Sequence, residues 1–393
     1  MKDNYNVLLL GLFDTAIMTA RCFKGMDVKI FGMDYDIALS GFYSRLIKSI
    51  KIPDPKIDEK IWLKVLVRWL VDNGGNFILI PTSDEFVLLA AKYSDQIKKY
   101  CTALLPSYDT IITIIQRDKQ FNSASDCGIY VPNFIKGEDY HQESIGRELR
   151  LPVAFKPVNI TEWKREFTTK GFIVKNEKEF SHSLSQLKNK NVRYLIQNVI
   201  EGDTSLNYEV NSLYLPNGQI IQHSIRKIRQ FPDEFGTATC IEACNNKQIE
   251  ELATKYIKKN NIFGFSNIEF KYNPSDQKYY YIETNTRVWL QVNYSKQLGI
   301  NFPLIYYKYL IGIGISVPIK LQRNGKWVNL LSDILFWKRY HKKYSLSILK
   351  FLKSWLPLIS TGLFSFTDPL PFIKDLNLRK QVKRLITKIS FDS

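Results

Sequence analysis

Residues 266–287 read SNIEFKYNPSDQKYYYIETNTR, two runs rich in β-branched and aromatic residues on either side of the turn Asn273–Gln277. This is the pattern of an antiparallel hairpin. Side chains alternate across a strand, so Glu283 and Asn285 share one face, and Glu269 on the first strand can join them there. Two carboxylates and an amide oxygen make a hard, oxygen-only set suited to magnesium (or manganese), which in turn bridges phosphate oxygens. Arg287, two residues further on, adds a cation for a phosphate or a developing oxyanion. Taken alone, the same residues also describe a solvated edge hairpin with alternating charges.

Toward the amino terminus the pattern changes to that of a parallel sheet. Val7–Leu10 is an apolar run ended by Gly11, then Ala16, Ala20 and Phe23 recur at helical spacing, and Val28–Phe31 is a second apolar run closing on Gly32 and Asp34. A helix over Ile61–Val71 presents Trp62, Val65, Leu66, Trp69 and Leu70 on one face, and Asn73, Gly74 and Gly75 stop it before the strand FILIP at 77–81. Strands alternating with helices predict a doubly wound parallel sheet, with its boundary near residues 106–118. A dinucleotide site with Asp34 as the ribose acid is set aside, because that fingerprint needs three glycines and GLFDTA at 11–16 supplies only Gly11. Ser83 and Asp84 follow the carboxyl end of a strand, where open α/β sheets bind ligands, yet they also read as a helix cap.

The chain has 393 residues, 45% hydrophobic and 24% charged, which suits two to three globular units. Its net charge of +17 suits a polyanionic partner, and residues 319–393 alone hold 15 Lys or Arg against four Asp. No RNA-binding or helix-turn-helix signature accompanies the charge, so no nucleic-acid partner is expected. Five sparse cysteines without a CxxC pair, Cys240 and Cys244 among them, read as buried apolar residues of a reducing compartment, and four scattered histidines form no ligand cluster. The first residues, MKDNYNVLLLGLFDT, lack the length and cleavage site of a signal segment, and the longest uncharged stretch near the other end, Ser354–Thr367, is too short to span a bilayer. A cytoplasmic protein is expected.

Between these regions PVAFKPV (152–158) and KGFIVK (170–175) read as strands around a basic loop, 159–169. YLIQNVIEG (194–202) is a strand entering a glycine turn, and in 208–230 a strand, turn and strand place Lys227 and Arg229 in alternation on one face. Near the carboxyl end Ile348, Phe351, Leu352, Trp355 and Leu356 form one apolar helical stripe beside Lys342, Lys343, Lys350 and Lys353, stopped by Pro357. That stripe either packs on the body or a second subunit, or lies on an anionic inner membrane leaflet.

The strings ARCFKGMDVKIFGMDYD, FYSRLIKSIKIPDP, FILIPTSDEFVLLAAKYSDQIKKY, LLPSYDTIITIIQRDKQF, VAFKP, IQNVIEGD, RKIRQFPDEFGTATCIE, IEFKYNPSD, YIETNTRVW and FSFTDPLPF run in this order from Ala20 to Phe372. In order and spacing the chain resembles the ATP-grasp superfamily of carboxylate-amine ligases, in the branch of D-aspartate ligase-like and carbamoyl-phosphate-synthase-like proteins of cell-envelope polysaccharide clusters. The resemblance implies an α/β and α+β chain with the ATP-grasp fold: a Rossmann-like parallel-sheet (pre-ATP-grasp) domain at 1–117, an ATP-grasp domain at 118–318 with a nucleotide-grasping part near 125–200 and a metal part near 201–318, and a basic C-terminal helical extension at 319–393. It implies ATP phosphates on Lys119, Lys156 and the loop residue Lys170, adenine at the backbone of Gln197, Asn198, Val199 and Ile200, and ribose at Glu201 or Asp203. Magnesium would sit on Glu269, Glu283 and Asn285, the transferred phosphoryl group on Arg287, and the acidic substrate or acyl phosphate on Lys227 and Arg229. QNVIEG stands where QEYIPG is usual, NTR replaces the usual NPR, and the loop 159–169 lacks glycine. The implied reaction joins a small-molecule carboxylate to an amine with release of ADP and phosphate. A phosphotransferase and a non-catalytic anion-binding protein are the rivals, and a homo-oligomer is compatible with all three.

Overall fold

The computed structural model of the protein describes residues 5–141, 147–188, 190, 192–315, 321 and 324–377. The amino-terminal sheet is parallel, with β1 (Asn6–Leu10), β2 (Ile30–Asp34), β3 (Lys48–Lys51), β4 (Phe77–Pro81) and β5 (Cys101–Thr102) in the order β3-β2-β1-β4-β5. Four consecutive residues of β1 and all of β4 are buried, as strands covered on both faces must be. The covering helices are α1 (Asp14–Cys22), α2 (Glu59–Asp72), α3 (Asp84–Lys92) and α4 (Ser94–Ile97). α2 starts because the Asp58 carboxylate accepts from the N–H groups of Lys60 and Ile61, and it buries Trp62, Leu66 and Leu70 at a spacing of four. Two short helices, α5 (Tyr108–Ile114) and α6 (Arg117–Ser125), lead out of this unit.

A four-stranded antiparallel sheet follows, ordered β6-β9-β7-β8, from β6 (Phe134–Lys136), β7 (Val153–Pro157), β8 (Phe172–Val174) and β9 (Tyr194–Asn198), with α7 (Ile160–Trp163) and α8 (Glu177–Lys188) between its strands. The largest sheet has seven strands. β10 (Asn207–Tyr214), β11 (Ile220–Phe231), β12 (Thr237–Ala243), β13 (Gly264–Asn273) and β14 (Lys278–Asn285) pair antiparallel, with α9 (Lys247–Lys259) on one face. α10 (Val292–Gln297) and α11 (Phe302–Leu310) follow, and Val292, Phe302, Ile305 and Tyr306 join Val7, Leu9, Ile78 and Ile80 of the parallel sheet to Leu213 and Phe265 of the large one in a single core.

The carboxyl-terminal segment corrects the expectation of a helical extension. β15 (Lys326–Val328) pairs with β12, and β16 (Leu358–Thr361) pairs parallel with β15, so the segment completes the large sheet in the order β14-β13-β10-β11-β12-β15-β16. Its helices, α12 (Leu330–Tyr340) and α13 (Ile348–Lys353), flank those strands. The expected stripe divides: Phe351 is buried and Trp355 donates through Nε1 to Asp333 Oδ2 at 2.7 Å, while Ile348, Leu352 and Leu356 face outward. The expected boundary at 318 and the last five of the segment's cations fall outside the described residues.

Candidate active site

The site is one face of the large sheet where four strands lie in register. Glu283, Glu269 and Glu209 stand in line across β14, β13 and β10, and two residues along Asn285, Asn267, Asn211 and His223 form a second line that reaches β11. A register slip creates this arrangement. Glu283 lies opposite Glu269 but Tyr281 lies opposite Phe270, so the bulge at Ile282 sends Tyr281 into the core and Glu283 to the other face. Asn285 donates through Nδ2 to Asn267 Oδ1 at 3.2 Å, and Asn267 donates in turn to Glu209 at 2.9 Å and to Asn211 at 2.8 Å.

Cations surround the carboxylates. Lys227 Nζ reaches Glu269 Oε2 at 2.6 Å and Glu209 Oε1 at 3.4 Å. Burial opposes the Lys227 ammonium, but Glu269 and then Glu209 outweigh it and raise its pKa above the ordinary lysine value. Burial pushes the Glu269 carboxyl upward against the pull of Lys227. Arg117, at the start of α6, bonds Glu283 Oε2 at 2.9 Å and the Ile282 carbonyl at 3.0 Å. Burial disfavours the Glu283 carboxylate, yet the Arg117 charge, followed by Lys170, holds its pKa down at about 2.

A further cation comes from the four-stranded sheet. Lys156 on β7 has its pKa pushed well down by burial and then by Arg117, with Glu283 pulling the other way, and its ammonium lies 3.0 Å from the Phe235 ring centroid in the β11–β12 turn. Gly171 permits this packing, since its φ is +144° and a Cβ there would meet the Phe155 carbonyl at 2.5 Å and the Lys156 chain at 3.0 Å. From the parallel sheet, Asp84 pairs with Arg287 at 3.0 Å. Ser83 is the cap of α3, accepting from Phe86 N–H, which leaves Asp84 to reach across from the carboxyl end of β4. Thus three sheets contribute charge to one cleft.

These residues fit a hard cation. Among the described residues no three His, Cys, Asp or Glu side chains form a metal cluster, so an ion here would take Glu269, Glu283 and the Asn285 amide oxygen, with phosphate and water completing its shell. The bonds to Lys227 and Arg117 engage Oε2 of each carboxylate.

The chain is similar to several known proteins. The family described as the carbamoyl-phosphate synthase L chain, ATP binding domain, matches residues 234–320. D-aspartate ligase of Enterococcus faecium (strain Aus0004) is 23% identical over 266 residues, covering 62% of this chain and 62% of that enzyme's own length. Among solved structures, N5-carboxyaminoimidazole synthetase from Staphylococcus aureus, complexed with ADP, superposes with a TM-score of 0.65 at 13% identity, covering 87% of each chain. L-amino acid ligase from Bacillus licheniformis gives 0.59 at 15% identity, covering 79% of this chain and 75% of that one. These similarities are to ATP-grasp ligases, part of the chain by sequence and most of it by fold. The chain's fold is the ATP-grasp fold, with a parallel sheet preceding the two sheets that enclose the cleft.

Within that ATP-grasp cleft some expected residues stand elsewhere. Arg229 is a correction: β11 slips register between Lys227, opposite Ile241, and Arg229, opposite Cys240, which turns Arg229 away from the Lys227 face. Its guanidinium is instead buried against Asp333 of α12 at 2.7 and 2.9 Å. Lys119 is exposed on α6, about half a turn round the helix from Arg117, and it is Arg117 that meets Glu283. Arg117 was legible only as a basic residue opening a helix. At the strand end Gln197 is buried, while the N–H groups of Asn198 and Val199 are bonded to the carbonyls of Asn133 and Pro152, so a donor offered to a base comes from Ile200 onward. Glu201 accepts from Ser275 in the hairpin turn, and Asp203 caps a short turn through Ser205, beside Lys271, whose ammonium holds the Gly202 carbonyl at 2.7 Å. Lys170 lies on the exposed loop after α7, close enough to bias both Glu283 and Lys156.

Proposed function

We propose that the protein is an ATP-dependent carboxylate-amine ligase that forms an amide through an acyl phosphate and releases ADP and phosphate. The observation that carries this reading is the line of Glu283 and Glu269 set between Arg117, Lys156, Lys170 and Lys227 where the sheets meet. Attack of a carboxylate on the γ-phosphate brings two anions together, which is tolerable only when fixed charges neutralise both. Lys156 and Lys170 would draw the phosphate chain into the cleft, and Arg287, steadied by Asp84, would meet the transferring group. Lys227, held ionised, would keep Glu269 oriented toward the cleft. Magnesium or manganese on Glu269, Glu283 and Asn285 would neutralise phosphate oxygens. No side chain here needs to act as a covalent nucleophile.

An amino acid is the substrate class that the names of the D-aspartate and L-amino acid ligases support, and as the acceptor we propose an amine of an envelope or polysaccharide precursor. We place the reaction in the cytoplasm, supported by the free state of all five cysteines and by the absence, among the described residues, of any helix long and apolar enough to cross a membrane. The test is isotopic. Oxygen-18 in the substrate carboxylate should appear in released phosphate, because the acyl phosphate carries that oxygen across when the amine displaces it. Unlabelled phosphate during productive amide formation overturns the acyl-phosphate route.

A further inference from the structure

The carboxyl-terminal face carries large apolar side chains that stand outside the core. α13 turns Phe351 inward at 1% exposure and leaves Ile348, Leu349 and Leu352 outward at 47%, 69% and 46%. At about 100° per residue these three occupy a single arc of the helix. Leu356 and Leu358 continue the patch beyond the helix end at 64% and 38% exposure.

The same stretch carries one sign of charge. Residues 334–367 hold six Lys or Arg and no Asp or Glu. Lys343 is paired with Asp233, but Lys338, Lys342, Lys350 and Lys353 are exposed and, among the described residues, meet no carboxylate. Beneath the patch lies a firm support. Arg229 donates to Ser354 Oγ at 2.8 Å with its guanidinium 5.3 Å from the Phe351 ring centroid, and Trp355 is tied to Asp333. The exposed leucines therefore stand on a braced element rather than on a frayed end.

Charge decides what covers them. An isologous contact with a second copy would set this cationic patch against a second cationic patch, leaving like charges opposed. An anionic bilayer matches both features, because leucines enter the acyl boundary while lysines meet headgroup phosphates. We propose that α13 together with Leu356–Leu358 docks the protein peripherally on an anionic lipid surface. This goes beyond the ligase reading and uses none of its residues.

The full chain should float with vesicles of phosphatidylcholine containing phosphatidylglycerol, bind pure phosphatidylcholine vesicles at least about tenfold more weakly, and detach at high salt. Leu349→Ser, Leu352→Ser and Leu356→Ser combined should abolish flotation, and Lys350→Ala with Lys353→Ala should weaken it about tenfold or more at low salt. Both variants should keep the wild-type melting temperature and its rise with magnesium-ATP, which separates docking from folding. Absence of flotation at low salt, equal binding to neutral vesicles, or undiminished binding by the leucine variant overturns the proposal. So does a concentration-dependent dimer, measured by sedimentation, that the leucine substitutions dissolve, since the patch would then be a self-interface.

Discussion

Glu283 bears on stability through its charge and, in the proposed reaction, on the metal. A carboxyl held near 2 in the folded chain, against about 4.3 when unfolded, adds stability above the unfolded value, and that contribution is lost as pH falls through 4 toward 2. Glu283→Gln keeps the shape but removes the charge facing Arg117 and, in the proposed reaction, the metal, so turnover should drop by about 100-fold or more; full ADP release by that variant overturns the metal role proposed for it. His223 titrates with the opposite chemistry. Its Nε2 meets Ser295 Oγ at 2.8 Å, and burial pushes the imidazole down to about 4. The unfolded chain binds that proton first, near 6.5, so stability is lost as pH falls from about 6.5 to 4, by about 2 kcal/mol between pH 7 and 5. Thermal unfolding should show wild type losing more than His223→Gln over that interval, and parallel losses in the two proteins overturn the assignment.

At the scale of elements, periodicity carried the reading as far as regular pairing extends. The parallel strands β1, β2 and β4, α2 and the hairpin of β13 and β14 were legible, because apolar runs, a capping Asp58 and the Asn273–Gln277 turn are local signals. Alternation put Lys227 and Arg229 on one face, and the slip between their partners Ile241 and Cys240 is what no local signal encodes. β15 and β16 were missed for a related reason: strands of three and four residues form only because β12 offers an edge to β15, and β15 in turn offers one to β16. Arg229 then belongs to the joint between β11 and α12, where Asp333 also accepts from Thr239 at 2.6 Å and Trp355 at 2.7 Å. Asp333→Asn should cost about 3–5 kcal/mol by leaving the buried guanidinium uncompensated, and Arg229→Met combined with Asp333→Leu should recover part of that loss. Urea unfolding checks both, and an Asp333→Asn variant as stable as wild type removes the joint from the account.

Across the whole molecule, the three sheets are held by unequal means. A continuous core through α10 and α11 joins the parallel sheet to the large one, a second core sets Leu195 of the four-stranded sheet with Val210, Ile268 and Phe270 of the large one, and the four-stranded sheet also brings Lys156, Lys164 and Lys170 to the cleft as charges. The Lys164 ammonium, depressed by burial and by Lys170, is drawn upward by Asp84, so the loop after α7 leans on the parallel sheet as well as on Glu283. That loop is organised within itself, with Asn159 capping α7 and Trp163 Nε1 donating to the Thr169 carbonyl at 2.9 Å. In the proposed reaction, closure of this loop over the cleft would work against repulsion among Lys156, Lys164, Lys170, Arg117 and Arg287, which a bound polyphosphate would remove. Magnesium-ATP should slow amide hydrogen exchange in residues 159–171 by about tenfold or more while leaving β1 and β4 unchanged, since ligand binding stabilises only the opening it blocks. Lys170→Glu should abolish that protection and weaken nucleotide binding with little change in the melting temperature of the ligand-free protein, because the side chain is exposed and its attraction to Glu283 is offset by its repulsion of Lys156 and Lys164. Protection confined to the large sheet, with the loop exchanging at its ligand-free rate, would show that the nucleotide is held without the four-stranded sheet.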